Sequence, residues 1–108
     1  MQILSGAGRH TAAGEAHWAE HFRSADLSCG TYSLPRGAAD PQQPHTEDEI
    51  YVCTTGRATL VTPAGSAELS PGTVAFVPAG EEHRFADVTE DFTVLVVFGP
   101  AEGSREAG

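Results

Sequence analysis

From residue 27 onward the chain consists of short apolar or alternating runs, each broken by Gly or Pro within a few residues. Residues 27–34 read as a strand stopped by Pro35 and Gly37. Residues 50–54 and 58–62 are rich in β-branched side chains and are joined across Thr55-Gly56-Arg57, a pattern that predicts a hairpin. Pro63-Ala64-Gly65 marks the next turn, and residues 66–69, 73–77, 83–86 and 92–98 complete the set. Short strands at such close intervals predict an all-β sandwich or barrel.

The two ends read differently. The first fourteen residues are Gly- and Ala-rich without a period, which suggests a loose terminus. Residues 15–23 predict a short helix, because Trp18 and Phe22 stand four apart on one helical face. His17 and His21 share that spacing, which can bind zinc on a helix, but no third ligand sits nearby and they read as solvated. The tail from Gly99 is Gly, Ala and charge, a composition typical of disorder. The expected organisation is an N-terminal arm with a short helix over 1–26, a barrel over 27–98 and a flexible tail over 99–108.

Bulk composition narrows the function classes. The 108 residues suffice for one domain burying roughly 60–70% of its unfolded surface. No apolar run approaches the roughly 20 residues of a membrane span, and the start lacks a signal peptide's apolar core, so a cytoplasmic location is expected. A formal charge of -9 disfavours nucleic acid and anionic membranes as partners. Cys29 and Cys53 are too few and too far apart for a disulfide framework or a thiolate zinc site, and each reads as a buried thiol in a strand.

The candidate chemistry lies in two stretches. Side chains two apart on a strand share a face, so Gln43, His45, Glu47, Glu49, Tyr51 and Cys53 can point one way, unless Pro44 breaks the register. Carboxylates on a barrel's inner face are costly unless paired or coordinated, which favours a ligand role for Glu47 or Glu49. Taken alone, Glu47-Asp48-Glu49 also reads as a solvated acidic turn. His45, Glu49 and His83 together supply two imidazoles and one carboxylate, the set that holds a divalent metal with open positions in non-haem iron oxygenases. Tyr32, Tyr51 and Phe85 are candidate pocket residues that read equally well as core, with core preferred for Phe85.

Spacing adds a resemblance. Gly37, Gln43, His45, Glu49 and Gly56 are similar to one motif of the cupin superfamily: a glycine, five residues, His-x-His, three or four residues, a glutamate, six residues and a glycine. Gly72, Pro78, Gly80 and His83 match the other motif, with Asp87 where an asparagine is common. The resemblance selects Glu49 over Glu47 and implies a cupin jelly roll or β-barrel that pairs as a homodimer. Gln43 stands where the first histidine of the pair is usual. It is either a fourth ligand or a group that orients water or substrate. A Gln-His-Glu-His set is similar in ligand types to that of the zinc-binding phosphomannose isomerases, although the spacing differs.

Two functions follow as expectations. One is a metalloenzyme of oxygenase or isomerase/cyclase type acting on a small organic molecule. It would hold Fe, Zn, Mn or Ni on His45, Glu49, His83 and Gln43, with Glu47 as a general base. The other is a non-catalytic barrel that binds or senses a small ligand.

Overall fold

The computed structural model describes residues 1–11, 14–41 and 44–105, and they form eight strands in two antiparallel sheets. The strands are β1 (His17–Arg23), β2 (Ser28–Leu34), β3 (Asp48–Thr55), β4 (Ala58–Thr62), β5 (Gly65–Leu69), β6 (Val74–Val77), β7 (Arg84–Ala86) and β8 (Phe92–Gly99). One sheet runs β1-β2-β8-β3-β6 and the other β5-β4-β7.

The expected N-terminal helix is instead β1, and the described residues contain no helix. A four-residue apolar spacing suits a helix face, but in β1 a bulge between Glu20 and Phe22 shifts the register, so Trp18 pairs with Tyr32 and Phe22 with Cys29, which lie on opposite faces of β2. Long-range pairing decides the outcome: β1 runs antiparallel to β2, with Trp18 opposite Tyr32. His17 and His21 are therefore strand residues, and each contacts a threonine rather than solvent alone: His17 Nδ1 lies 3.0 Å from Thr11 Oγ1 and His21 Nε2 lies 2.6 Å from Thr31 Oγ1.

The predicted hairpin across Gly56 is also absent. β3 pairs with β6 and β8, whereas β4 pairs with β5 and β7, so the chain crosses from one sheet to the other between Thr55 and Ala58. Gly56 permits this with φ +78° and by lying against the backbone of Asp91, where a Cβ would come 2.0 Å from the carbonyl oxygen. The tight hairpin falls one connection later, where β4 and β5 meet at Thr62 and Gly65.

Between the sheets lies a core centred on Leu34, Tyr51, Phe85, Phe92 and Val94, none more than 1% exposed. Phe85 packs edge-on against both Tyr51 and Phe92, at centroid distances of 4.9 and 5.0 Å. Cys53 is buried and Cys29 half-buried. Both ends of the chain are bound to the barrel. Gly8 N–H donates to Thr31 Oγ1 and Thr54 Oγ1 donates back to the Gly8 carbonyl, while Ala101 is buried and Glu102 N–H donates to Ser28 Oγ.

Candidate functional site

Alternation along β3 turns Glu49, Tyr51 and Cys53 inward and leaves Asp48 and Ile50 exposed. His45 and Glu47 precede the strand, so the shared-face rule does not reach them. His83 sits just ahead of β7. Two bonds tie the loops carrying the two motifs: Gly80 N–H donates to the His45 carbonyl at 2.7 Å, and Ala79 N–H donates to Asp48 Oδ1 at 2.9 Å.

This arrangement brings Glu49 and His83 together inside the barrel, with side chains each 1% exposed and Glu49 Oε1 3.0 Å from His83 Nε2. The pair is close enough to share a proton or a metal ion, and among the described residues no other hydrogen-bond partner reaches either oxygen of Glu49. His83 Nδ1 lies 2.8 Å from the Glu81 carbonyl, which makes Nδ1 the protonated nitrogen. In a neutral ring Nε2 is then bare, facing the Tyr51 hydroxyl at 2.9 Å and the Glu49 carboxylate at once. Two electron-rich groups facing each other call for a cation between them. A proton is one answer: burial works against charge on His83, but Glu49 and the Glu81 carbonyl outweigh it and raise its pKa. A metal ion is the other, and the donor types suit it.

His45 stands beside this pair without joining it. Its ring centroid is 6.1 Å from that of His83 and 4.7 Å from that of Phe98, and its Nδ1 lies 3.7 Å from Glu102 Oε2. Among the described residues, no three His, Cys, Asp or Glu side chains converge closely enough to hold a metal ion. Gln43, the expected fourth ligand, lies outside the described residues.

Glu47 differs from the expected general base. It is 1% exposed, and the C-terminal segment hydrogen-bonds to it. Its carboxylate accepts the N–H groups of Gly103 at 3.0 Å and Arg105 at 3.2 Å, and the Thr46 hydroxyl. Desolvation raises its pKa, but these hydrogen bonds prevail and the net shift is downward. Glu47 is thus an ionised anchor for the chain end and is absent from the cavity lining.

A cavity of about 220 Å³ is lined on one side by Glu49, while His83 lines a separate depression with Asp40, Pro44 and Arg84. Trp18, Tyr32, Phe98, Pro41 and Val96 form apolar walls, and His45, Glu49, Tyr51 and Glu102 supply polar groups. Tyr32 and Tyr51 line it, whereas Phe85 packs against both in the core. Tyr32 donates to Asp40 Oδ1 at 2.6 Å, and burial followed by this bond pushes its pKa up. Asp40 Oδ2 also accepts Phe85 N–H, joining the strand that follows His83 to the cavity wall.

Sequence reasoning missed Glu102, Trp18 and Phe98. Trp18 was legible only as a helix residue, Phe98 as generic strand, and Glu102 lay in a stretch of disordered composition. Burial raises the Glu102 pKa, partly opposed by His45.

Known proteins resemble this chain at several levels. A model of the cupin domain matches residues 30–98. The uncharacterized protein SCO3923 of Streptomyces coelicolor is 38% identical over 91 residues, spanning 84% of this chain and 87% of that one. The TT1209 structure from Thermus thermophilus superposes with a TM-score of 0.74 at 26% identity, covering 94% of this chain and 97% of the other. The DMSP lyase DddQ from Ruegeria pomeroyi also gives 0.74, at 22% identity, with 99% of this chain covering 57% of that one. With both motifs, the two-sheet barrel and the family match in agreement, the chain belongs to the cupin domain family.

Proposed function

We propose that this cupin binds a divalent metal ion on Glu49 and His83, and acts beside it on a small organic molecule. His45 serves as third donor once it turns from Glu102, and Gln43 as fourth. The observation that carries the proposal is the buried Glu49 carboxylate, which faces His83 Nε2 at 3.0 Å and meets no other hydrogen-bond partner among the described residues. A buried carboxylate costs several kcal/mol unless a cation compensates it, and a metal ion shared with His83 supplies that cation. Iron, zinc, manganese and nickel all accept this donor set; when bound, such an ion supplies Lewis acidity or, with iron, dioxygen activation.

The protein's own residues do the rest. The Glu81 carbonyl fixes the His83 tautomer, and the Tyr51 hydroxyl orients the ring from the other side. Trp18, Phe98 and Val96 keep the walls apolar, which strengthens each polar contact at the floor. A DMSP lyase among the structural relatives supports the enzyme reading as far as a shared fold can. The proposal takes the working unit as a cytoplasmic homodimer; the open edge of β6, with Val74 and Phe76 exposed on it, supports the pairing.

A metal-free barrel that binds or senses a ligand draws on one observation, that no three donors converge among the described residues. Calorimetric titration of chelator-treated protein with Fe²⁺, Zn²⁺, Mn²⁺ and Ni²⁺ separates the two. The proposal expects one ion per chain for at least one metal, and loss of binding in Glu49→Gln and His45→Ala with folding retained. Failure of all four metals to bind leaves the sensing barrel.

A further inference from the structure

The cavity has two unlike ends. Its floor is the buried Glu49, whereas its mouth is formed by Trp18, 36% exposed, and Glu102, whose side chain is 28% exposed. At the mouth, Trp18 meets Phe98 edge-on at 6.1 Å, Phe98 meets His45, and His45 meets Glu102. Tyr32 completes the aromatic wall. The lining holds two carboxylates and no Lys or Arg. The neighbouring Arg23 is engaged elsewhere, by the Glu20 carboxylate at 2.9 Å and the Glu102 main-chain carbonyl at 2.8 Å.

Aromatic faces with a carboxylate beside them attract organic cations, and Trp is the most effective ring for this. In the metal-free protein the same lining disfavours a carboxylate or phosphate, because Glu49 and Glu102 face it and Arg23 is already paired with Glu20. We infer that the mouth selects a small substrate ending in an organic cation of the quaternary ammonium type, with Glu102 as counter-charge and Trp18, Tyr32 and Phe98 as its walls. The inference rests on reading this cavity as the working site, and it names the substrate class that site takes. It also gives His45 and Glu102 a joint role: when His45 turns toward the floor, the Glu102 carboxylate loses that partner and faces the incoming cation.

The site is latched rather than loose. Glu102 N–H donates to Ser28 Oγ, and the next residues are held by Glu47 through Gly103 and Arg105. The cavity is below the roughly 300–1,000 Å³ usual for drug-sized ligands, so the substrate is small.

Trp18 is the single tryptophan of the chain, so its fluorescence reports occupancy of the mouth. Three probes of one shape separate charge from size: choline, its neutral isostere 3,3-dimethyl-1-butanol, and the anionic 3,3-dimethylbutanoate. Each is titrated into metal-free and metal-loaded wild-type protein and into Glu102→Gln, with melting curves to confirm folding. The expected result is saturable choline binding at least about tenfold tighter than the alcohol, no measurable binding of the anion to metal-free protein, and collapse of the preference in Glu102→Gln. Equal or tighter binding of the alcohol, tightest binding of the anion to metal-free protein, no choline binding up to 100 mM, or a preference that survives Glu102→Gln overturns the inference. Choline preference without metal uptake contradicts the metal reading alone; metal uptake without choline preference contradicts this inference alone.

Discussion

Replacing Glu47 by Gln asks whether that carboxylate is a base or an anchor. In the wild type its oxygens accept two main-chain N–H groups, from Gly103 and Arg105, and the Thr46 hydroxyl. Glutamine keeps one acceptor oxygen and turns an NH₂ toward the other donor, so one charge-assisted bond is lost and one N–H is left facing a donor. A hydrogen bond to a charged group contributes about 1.5–3 kcal/mol, and an orphaned donor costs about 1–3 kcal/mol more when buried. Local opening of the C-terminal segment lets water reach the orphan, so a net loss of about 2 kcal/mol is expected. That corresponds to roughly a thirtyfold gain in opening of the C-terminal segment, read as faster hydrogen exchange at Gly103 and Arg105. If the segment opens only together with the barrel, the loss appears instead as a fall in Tm of about 10 °C. Metal uptake at Glu49 stays intact in either case, while choline binding weakens because Glu102 is no longer held. Unchanged exchange and an unchanged Tm would refute the anchoring argument.

Other substitutions test other parts of the structure. Phe85→Ala removes a ring packed between Tyr51 and Phe92 and should cost about 3–5 kcal/mol by chemical denaturation; a cost below about 1 kcal/mol would deny it a core role. Gly56→Ala places a Cβ 2.0 Å from the Asp91 carbonyl at a left-handed φ, and should destabilise by more than about 1 kcal/mol, against a near-neutral result if the crossover is misplaced. Burial raises the pKa of Cys29 and of Cys53, so thiolate is scarce near pH 8. Iodoacetamide should label both slowly there and faster as pH rises; labelling of folded protein as fast as of unfolded protein would contradict their burial.

Much of the barrel was legible in the sequence, because β-branched runs and Gly/Pro breaks are local signals. The same locality explains the failures. Trp18 and Phe22 carry a helical spacing, and only the bulged pairing of β1 with β2 overrides it. The linker at Gly56 looks like a hairpin locally, whereas its conformation follows from contact with Asp91, thirty-five positions away. At the site, the motif spacing of the resemblance singled out Glu49 and His83 as candidates, and their side chains lie 3.0 Å apart. Glu47 and Glu102 were illegible for one shared reason. The first is neutralised as chemistry by N–H groups of the chain end, and the second reaches the cavity only because that end is fastened. Composition alone marks such a tail as disordered; its fastening points are single hydrogen bonds to distant residues, which leave no local pattern.

The central claim is that a metal ion is seated on Glu49 and His83. Elemental analysis of untagged protein purified without chelator, run beside Glu49→Gln and His83→Ala, tests it most directly. The account predicts close to one transition-metal ion per wild-type chain after reconstitution, and almost none in either folded variant. A wild-type protein that stays metal-free after reconstitution, or variants that hold as much metal as the wild type, would contradict it.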